Sequence, residues 1–357
     1  YLEGTPGHLT TERDLKGVEI PNGKMSYTPP EDGNTVKLTL DYSIQFYLEN
    51  ALRKAYQEWQ PKSMTAIVAD PKTMEILAMA SLPDFNPNEY WNVDNVSVFN
   101  NLAISYPYEP GSTFKVVTLS GAVEEGLYDS TETYMSGSYR VPGKTIYDHN
   151  ISGWGEITYF EGLLRSSNVA FVKLGEKLGP EKLREYIDRF GFGQPTNIDL
   201  PQEAAGVIPM RYPVEFATAT YGQGLSVTAI QQLAAYAAIA NGGNLMRPYI
   251  VKEIVDPDTG EVVFANEPKV VRRVISEDTA LQVALDLEQV VANQEIGTAR
   301  RAYIEGYRIA AKTGTAQIIL PGEKTYADNH WLVTFAGFAP VDDPKLVMVV
   351  MAELPEL

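Results

Sequence analysis

Ser112-Thr113-Phe114-Lys115 sets a hydroxyl and an amine three residues apart, at the start of a helix predicted from about Gly111 to Glu125, just before Gly126. That spacing puts both side chains on one helical face, one turn apart. A serine hydroxyl needs a base before it can attack. A lysine serves as that base only if burial or a second cation lowers its pKa. A helix start also offers free backbone N–H groups where negative charge would develop. Read alone, these four residues are more simply an N-cap serine and a surface lysine.

Two further clusters could share the chemistry. Ser166-Ser167-Asn168 falls at a break between helical stretches. In isolation it is an ordinary N-cap; in a cleft, Ser166 could relay a proton while Asn168 binds a substrate amide and fixes the lysine. Lys312-Thr313-Gly314-Thr315 lies on an apolar strand. There the glycine would let a substrate backbone approach, and the hydroxyls and ammonium could grip a carboxylate. The bland reading is a solvent-facing strand with a bulge. The combination decides between them. The chain holds one Ser-x-x-Lys and one Ser-x-Asn, followed by one Lys-Thr-Gly, and this order is the serine and KTG signature of penicillin-recognising acyl-transferases.

The elements that must position these residues are legible. Val36–Leu40 alternates like a strand, and Asp41 caps a helix with Ile44, Tyr47, Leu48 and Leu52 on one face. Met64–Ala69 and Met74–Ala80 form a hairpin around Asp70-Pro71-Lys72-Thr73. Helices are predicted near 158–165, 168–178, 180–189, 226–240 and, capped by Ser276, to about Val291. A second hairpin is expected over 249–255 and 261–265. The end is strand-rich, at Tyr307–Lys312, Trp331–Ala339 and Leu346–Met351. The expected fold is α/β of the α+β type: a five-stranded, mostly antiparallel sheet flanked by helices, with a helical subdomain. Residues 1–35 read as a linker or the end of a neighbouring module, and 36–357 as one domain.

Composition narrows the function. With 29 basic and 46 acidic residues the formal net charge is -17, which disfavours nucleic acid as a partner. The absence of cysteine excludes disulfides and thiolate nucleophiles. The three histidines, His8, His149 and His330, have no partners at metal-ligand spacing, so neither metal nor cofactor is expected.

At these residues the sequence resembles the class B, monofunctional penicillin-binding proteins. The likeness includes VKLTLDYSIQ (36–45), YEPGSTFKV (108–116), LLRSSNVAFVKLGEKLG (163–179), ATYGQGLSVTAIQQLAAYAAIANGG (219–243) and AAKTGTAQ (310–317), and it covers about 36–352. The resemblance implies a penicillin-binding, serine β-lactamase-like fold and a peptidoglycan D,D-transpeptidase. Ser112 would be the acylated nucleophile, Lys115 its base and Ser166 the proton shuttle. Asn168 would hold the donor peptide, Lys312 would set the electrostatics, and Thr313, Gly314 and Thr315 would bind substrate. The backbone N–H groups of Ser112 and Thr315 would form the oxyanion hole. Partners would be stem peptides, β-lactams as covalent inhibitors, and membrane-bound cell-wall or division proteins. The implied setting is extracytoplasmic, behind a single-pass anchor. Neither that anchor nor the family's C-terminal helix appears between Tyr1 and Leu357.

Other readings use the same serine. A β-lactamase of the class A type needs a glutamate after the second motif, but Glu176, Glu181 and Glu185 fall at solvent-facing helical positions. A D,D-carboxypeptidase would pass the acyl group to water. A non-catalytic β-lactam sensor or divisome scaffold could lose Lys115, Ser166 or Lys312, and all three are present.

Overall fold

A computed structural model describes residues 2–318, 326–327 and 330–354. The chain divides into two compact units, one of residues 1–39 with 249–267 and one of 40–248 with 268–357. In the first unit His8–Thr11 pairs with Met25–Thr28, and Val251–Val255 pairs with both Val262–Ala265 and Thr35–Leu38. The sequence reading gave 1–35 no strands of its own and left 249–267 with the later residues.

The second unit is built on a five-stranded sheet, here β1 (Ser63–Ala69), β2 (Ile76–Leu82), β3 (Ala310–Gln317), β4 (Trp331–Ala339) and β5 (Leu346–Leu354). Its order is β3-β4-β5-β1-β2, and every pairing is antiparallel. This is the expected sheet, with β3 displaced: it begins at Ala310 rather than Tyr307 and runs on to Gln317. Lys312 to Thr315 therefore all lie within this edge strand.

The period-2 alternation of the strands gives the sheet two faces. On one, Met64, Ala66 and Val68 of β1 meet Leu48 and Leu52 of α1 (Tyr42–Trp59), whose N-terminus Asp41 caps by accepting from the Ile44 N–H. Ile44, Ala55 and Tyr56 join this cluster. Tyr47 does not; it is 72% exposed, because the buried stripe follows the i, i+4, i+8 line through Ile44, Leu48 and Leu52. The other face carries Ile67, Val347, Val349 and Met351 and is covered by α4 (Ala229–Ala240). That helix is buried from Ala229 to Ile239, so its apolar residues surround it instead of forming a stripe. Beside it lies α5 (Glu277–Ala292), on which α2 (Lys115–Glu124) packs, and α3 (Asn168–Leu178) packs in turn on α2. Ser276 caps α5 by accepting from the Thr279 N–H.

The sequence reading missed a helix at Pro213–Ala219 and two short hairpin pairings, Thr133–Met135 with Glu156–Thr158 and Ser138–Val141 with Lys144–Tyr147. At three or four residues a strand is too short for alternation to register.

Candidate active site

The nucleophile motif begins with a 3-10 turn, Gly111–Phe114, and α2 follows from Lys115. In a 3-10 turn residues i and i+3 eclipse, so Ser112 and Lys115 are stacked one above the other. The Lys115 backbone N–H donates to the Ser112 carbonyl. Buried groups fasten this turn from behind. Thr113 Oγ1 donates to the Pro110 carbonyl at 2.8 Å, Gln232 Nε2 donates to Thr113 Oγ1 at 3.3 Å, and the Tyr236 hydroxyl donates to the Thr113 carbonyl at 2.9 Å. Both α4 residues are buried and four apart, on one helical face.

Two glycines bring β3 against the turn. A Cβ on Gly314 would lie 2.4 Å from Thr334 Oγ1 and 2.7 Å from the Pro110 carbonyl oxygen. At Gly111, where φ is +55°, a Cβ would come within 3.2 Å of the Thr315 carbonyl oxygen. The glycine of the third motif thus permits a close approach to the protein's own backbone. On the other side, Gly111 N–H donates to the Gly222 carbonyl at 3.0 Å, and the Gly222-Gln223-Gly224 turn forms part of the cleft edge.

The three motifs converge on one polar knot. Lys115 Nζ donates to the Ser166 carbonyl at 2.7 Å and to Asn168 Oδ1 at 2.9 Å, with Ser166 Oγ at 3.3 Å. Lys312 Nζ donates to Ser166 Oγ at 2.8 Å and to the Thr313 carbonyl at 3.0 Å, with Thr298 Oγ1 at 3.5 Å. Both lysines are buried, and burial lowers both pKa values. Lys312 falls to about 7. Lys115 falls well below its ordinary value, through burial first and then the like charge of Lys312, against a smaller opposing pull from Asp148. Phe171 packs under the Lys115 ammonium position, 5.2 Å from ring centroid to Nζ.

Each amine has three oxygens within reach, and Ser166 Oγ is common to both. Burial lowers both, but Lys115 alone is lowered further by its neighbour's charge, which favours the proton on Lys312 and leaves Lys115 as the base.

Ser166 holds this arrangement in a left-handed backbone conformation, φ 58°, which a non-glycine residue adopts only when its surroundings over-determine it. They do so here. The Asn168 side chain donates to the Tyr147 carbonyl at 2.9 Å. Buried Asp148 accepts from Ser167 Oγ at 2.8 Å, the Val169 N–H at 3.0 Å and the Gly137 N–H at 2.9 Å. The sequence gave Asp148 no role, and only the unrecognised Lys144–Tyr147 strand could have flagged it.

Ser112, Ser166, Asn168, Thr313 and Thr315 line one cleft of about 270 Å³, and His149 lines it with them. All eight sequence-predicted site residues thus meet here, with Gly314 buried beneath the floor and Thr315 exposed. Tyr326 donates to both carboxylate oxygens of Glu109, at 3.0 and 3.1 Å. The polar loop before it falls mostly outside the described residues. Among the described residues no cluster of ligands could hold a metal, and no helix is long and apolar enough to cross a membrane.

Comparison with known proteins gives a consistent result. Residues 64–356 match the family described as the penicillin binding protein transpeptidase domain. The chain is 45% identical over 361 residues to stage V sporulation protein D of Bacillus subtilis, covering 99% of this chain and 55% of that protein. It is 31% identical to peptidoglycan D,D-transpeptidase FtsI of Escherichia coli K12, covering 100% and 58%. The chain spans little more than half the length of these curated relatives. Among solved structures, penicillin binding protein 2X of Streptococcus thermophilus superposes with a TM-score of 0.90 at 27% identity, over 99% of this chain and 53% of that one. Penicillin binding protein 3 of Mycobacterium tuberculosis, complexed with ampicillin, gives 0.85 at 37% identity, over 92% and 74%.

Proposed function

Because the chain belongs to the penicillin-binding protein transpeptidase family, we propose that its cleft performs acyl transfer on peptidoglycan stem peptides, with Ser112 as nucleophile. The observation that carries this reading is the pair of buried lysines sharing Ser166, both held below the ordinary lysine pKa beside the Ser112 turn.

Lys115 takes the proton of Ser112 Oγ as that oxygen attacks the carbonyl of a terminal D-Ala-D-Ala bond. The backbone N–H groups of Ser112 and Thr315 hold the developing oxyanion. Thr313, Thr315 and the Lys312 ammonium receive the terminal carboxylate, and Asn168 holds the donor peptide backbone. Ser166 Oγ, in contact with both amines, passes the proton to the leaving D-Ala nitrogen. An ester on Ser112 remains. The amine of a neighbouring stem peptide attacks it, the C–O bond to Ser112 breaks, and the serine regains its proton through Lys115. A β-lactam opens on the same serine and keeps its leaving group tethered, so the ester persists.

All these residues belong to the unit of 40–248 with 268–357. Residues 1–35 are assigned to the end of a non-catalytic pedestal module. In the full-length protein the domain works outside the cytoplasm, tethered to the membrane among cell-wall synthesis or division partners. The test is a stem pentapeptide supplied with an acceptor amine: D-Ala release together with a cross-linked product, both abolished in Ser112→Ala. D-Ala release without cross-linking would replace this reading with a carboxypeptidase.

A further inference from the structure

The reaction has two substrates, and the motif residues are spent on the first. On the helical wall of the cleft, Asn168 Oδ1 receives Lys115 and its amide nitrogen binds the Tyr147 carbonyl. Ser166 Oγ receives Lys312 at 2.8 Å and also lies 3.3 Å from Lys115. An incoming amine needs a hydrogen-bond acceptor on this wall that is not already used.

His149 is such an acceptor. Its backbone follows buried Asp148, whose carboxylate is tied to Gly137, Ser167 and Val169, so the residue is held beside the motif that carries Asn168. Its imidazole lines the cleft with Ser112, is solvent-exposed, and has no hydrogen-bond partner among the described residues. The ring is oriented by Trp154, edge to face at 5.0 Å, and Trp154 in turn stacks against Arg165 at 5.2 Å. Trp154 lies at the end of a turn closed by the Asn150 amide donating to the Gly153 carbonyl.

We propose that His149 docks the acceptor amine: one imidazole nitrogen accepts a hydrogen bond from it and holds its nitrogen over the acyl carbonyl on Ser112. This rests on the acyl-transfer reading above. The acceptor arrives as an ammonium and loses one proton to solvent. The free amine then attacks, the C–N bond forms, the C–O bond to Ser112 breaks, and the second nitrogen-bound proton returns through Lys115 to Ser112 Oγ.

The surroundings keep the imidazole neutral and accepting. Desolvation lowers its pKa first; the positive charge of the Lys115–Lys312 pair and of Arg165 beside Trp154 adds to this, opposed by Asp148. Protonation would turn an acceptor into a cation facing a cationic substrate.

The experiment reads how the acyl-enzyme partitions between a D-amino acid acceptor and water, using a D-Ala-D-Ala pentapeptide. His149→Phe keeps the ring contact with Trp154 but loses the acceptor atom; His149→Gln keeps an acceptor that does not titrate. The expected result is an aminolysis-to-hydrolysis ratio about tenfold lower in the Phe variant, the loss of one hydrogen bond to a charged group. The Gln variant stays within about threefold of the unaltered protein and loses the decline of the ratio below pH 6.5. Equal partition in all three proteins, or equal loss in both variants, overturns the inference. Failure of the unaltered protein to release D-Ala would instead overturn the acyl-transfer reading, and this inference with it.

Discussion

Replacing Lys312 with methionine tests the proton assignment through stability alone. A lysine whose pKa drops from 10.5 when unfolded to about 7 when folded opposes folding by about 5 kcal/mol in its charged form. The side chain is buried, so solvent screening does not dilute this value. Between pH 7 and 10.5 the unfolded chain holds a proton that the folded chain has released, so this group's contribution to stability rises with pH. Below about 7 both states are charged and the full penalty persists. From pH 7 to pH 9 the gain is about 2 kcal/mol, since near pH 7 the folded lysine is still half protonated. The Met variant has no such term, and groups common to both proteins cancel. Lys115 cancels while burial, the larger cause of its shift, holds it neutral; the loss of Lys312's like charge raises its pKa in the variant, which widens the difference rather than closing it. Urea unfolding of both proteins at pH 7, 8 and 9 should show the stability difference moving by about 2 kcal/mol in favour of the unaltered protein. Parallel curves would refute the reasoning: Lys312 would then titrate as an ordinary lysine, and the neutral state of Lys115 would lose its support.

Gly314→Ala forces a methyl group against Thr334 Oγ1 and the Pro110 carbonyl, so β3 must move off the nucleophile turn. Acylation by a fluorescent penicillin should slow more than about tenfold, with about 1–3 kcal/mol of stability lost. Asp148→Ala leaves two buried N–H groups and the Ser167 hydroxyl without their acceptor, and chemical unfolding should show a loss of about 3 kcal/mol or more. Ser166→Ala and Ser166→Gly should both suppress acylation, but the glycine variant should be the more stable of the two by about 1 kcal/mol, because only it adopts φ 58° without strain. The second-order rate of acylation should fall in acid as Lys115 protonates, and again above about pH 7 as Lys312 gives up its proton.

Much of the site was legible because each motif is local. The order of Ser112, Lys115, Ser166, Asn168 and Lys312 along the chain was enough to predict that they share a cleft. Which atom each lysine faces was not, since the Lys312–Ser166 bond joins residues 146 apart and depends on where β3 sits in the sheet. That Gly314 also makes room for the Pro110 carbonyl was hidden for the same reason, since Pro110 comes from a distant segment. The long elements declared themselves through caps, at Asp41 and Ser276, and through apolar runs. Tyr47 was misplaced because an i, i+3 step widened the stripe beyond what the sheet buries. Gln232 and Tyr236 fasten the nucleophile turn from a helix that is buried all round, where no face marks a polar residue as special.

The central claim is that Ser112 becomes esterified and stays so when the leaving group cannot depart. Intact mass after mixing with benzylpenicillin, followed over hours beside Ser112→Ala, measures this directly. The account predicts one persistent adduct per chain, absent from the alanine variant. Hydrolysed drug with no lasting adduct, or an adduct that survives the loss of Ser112, would contradict it.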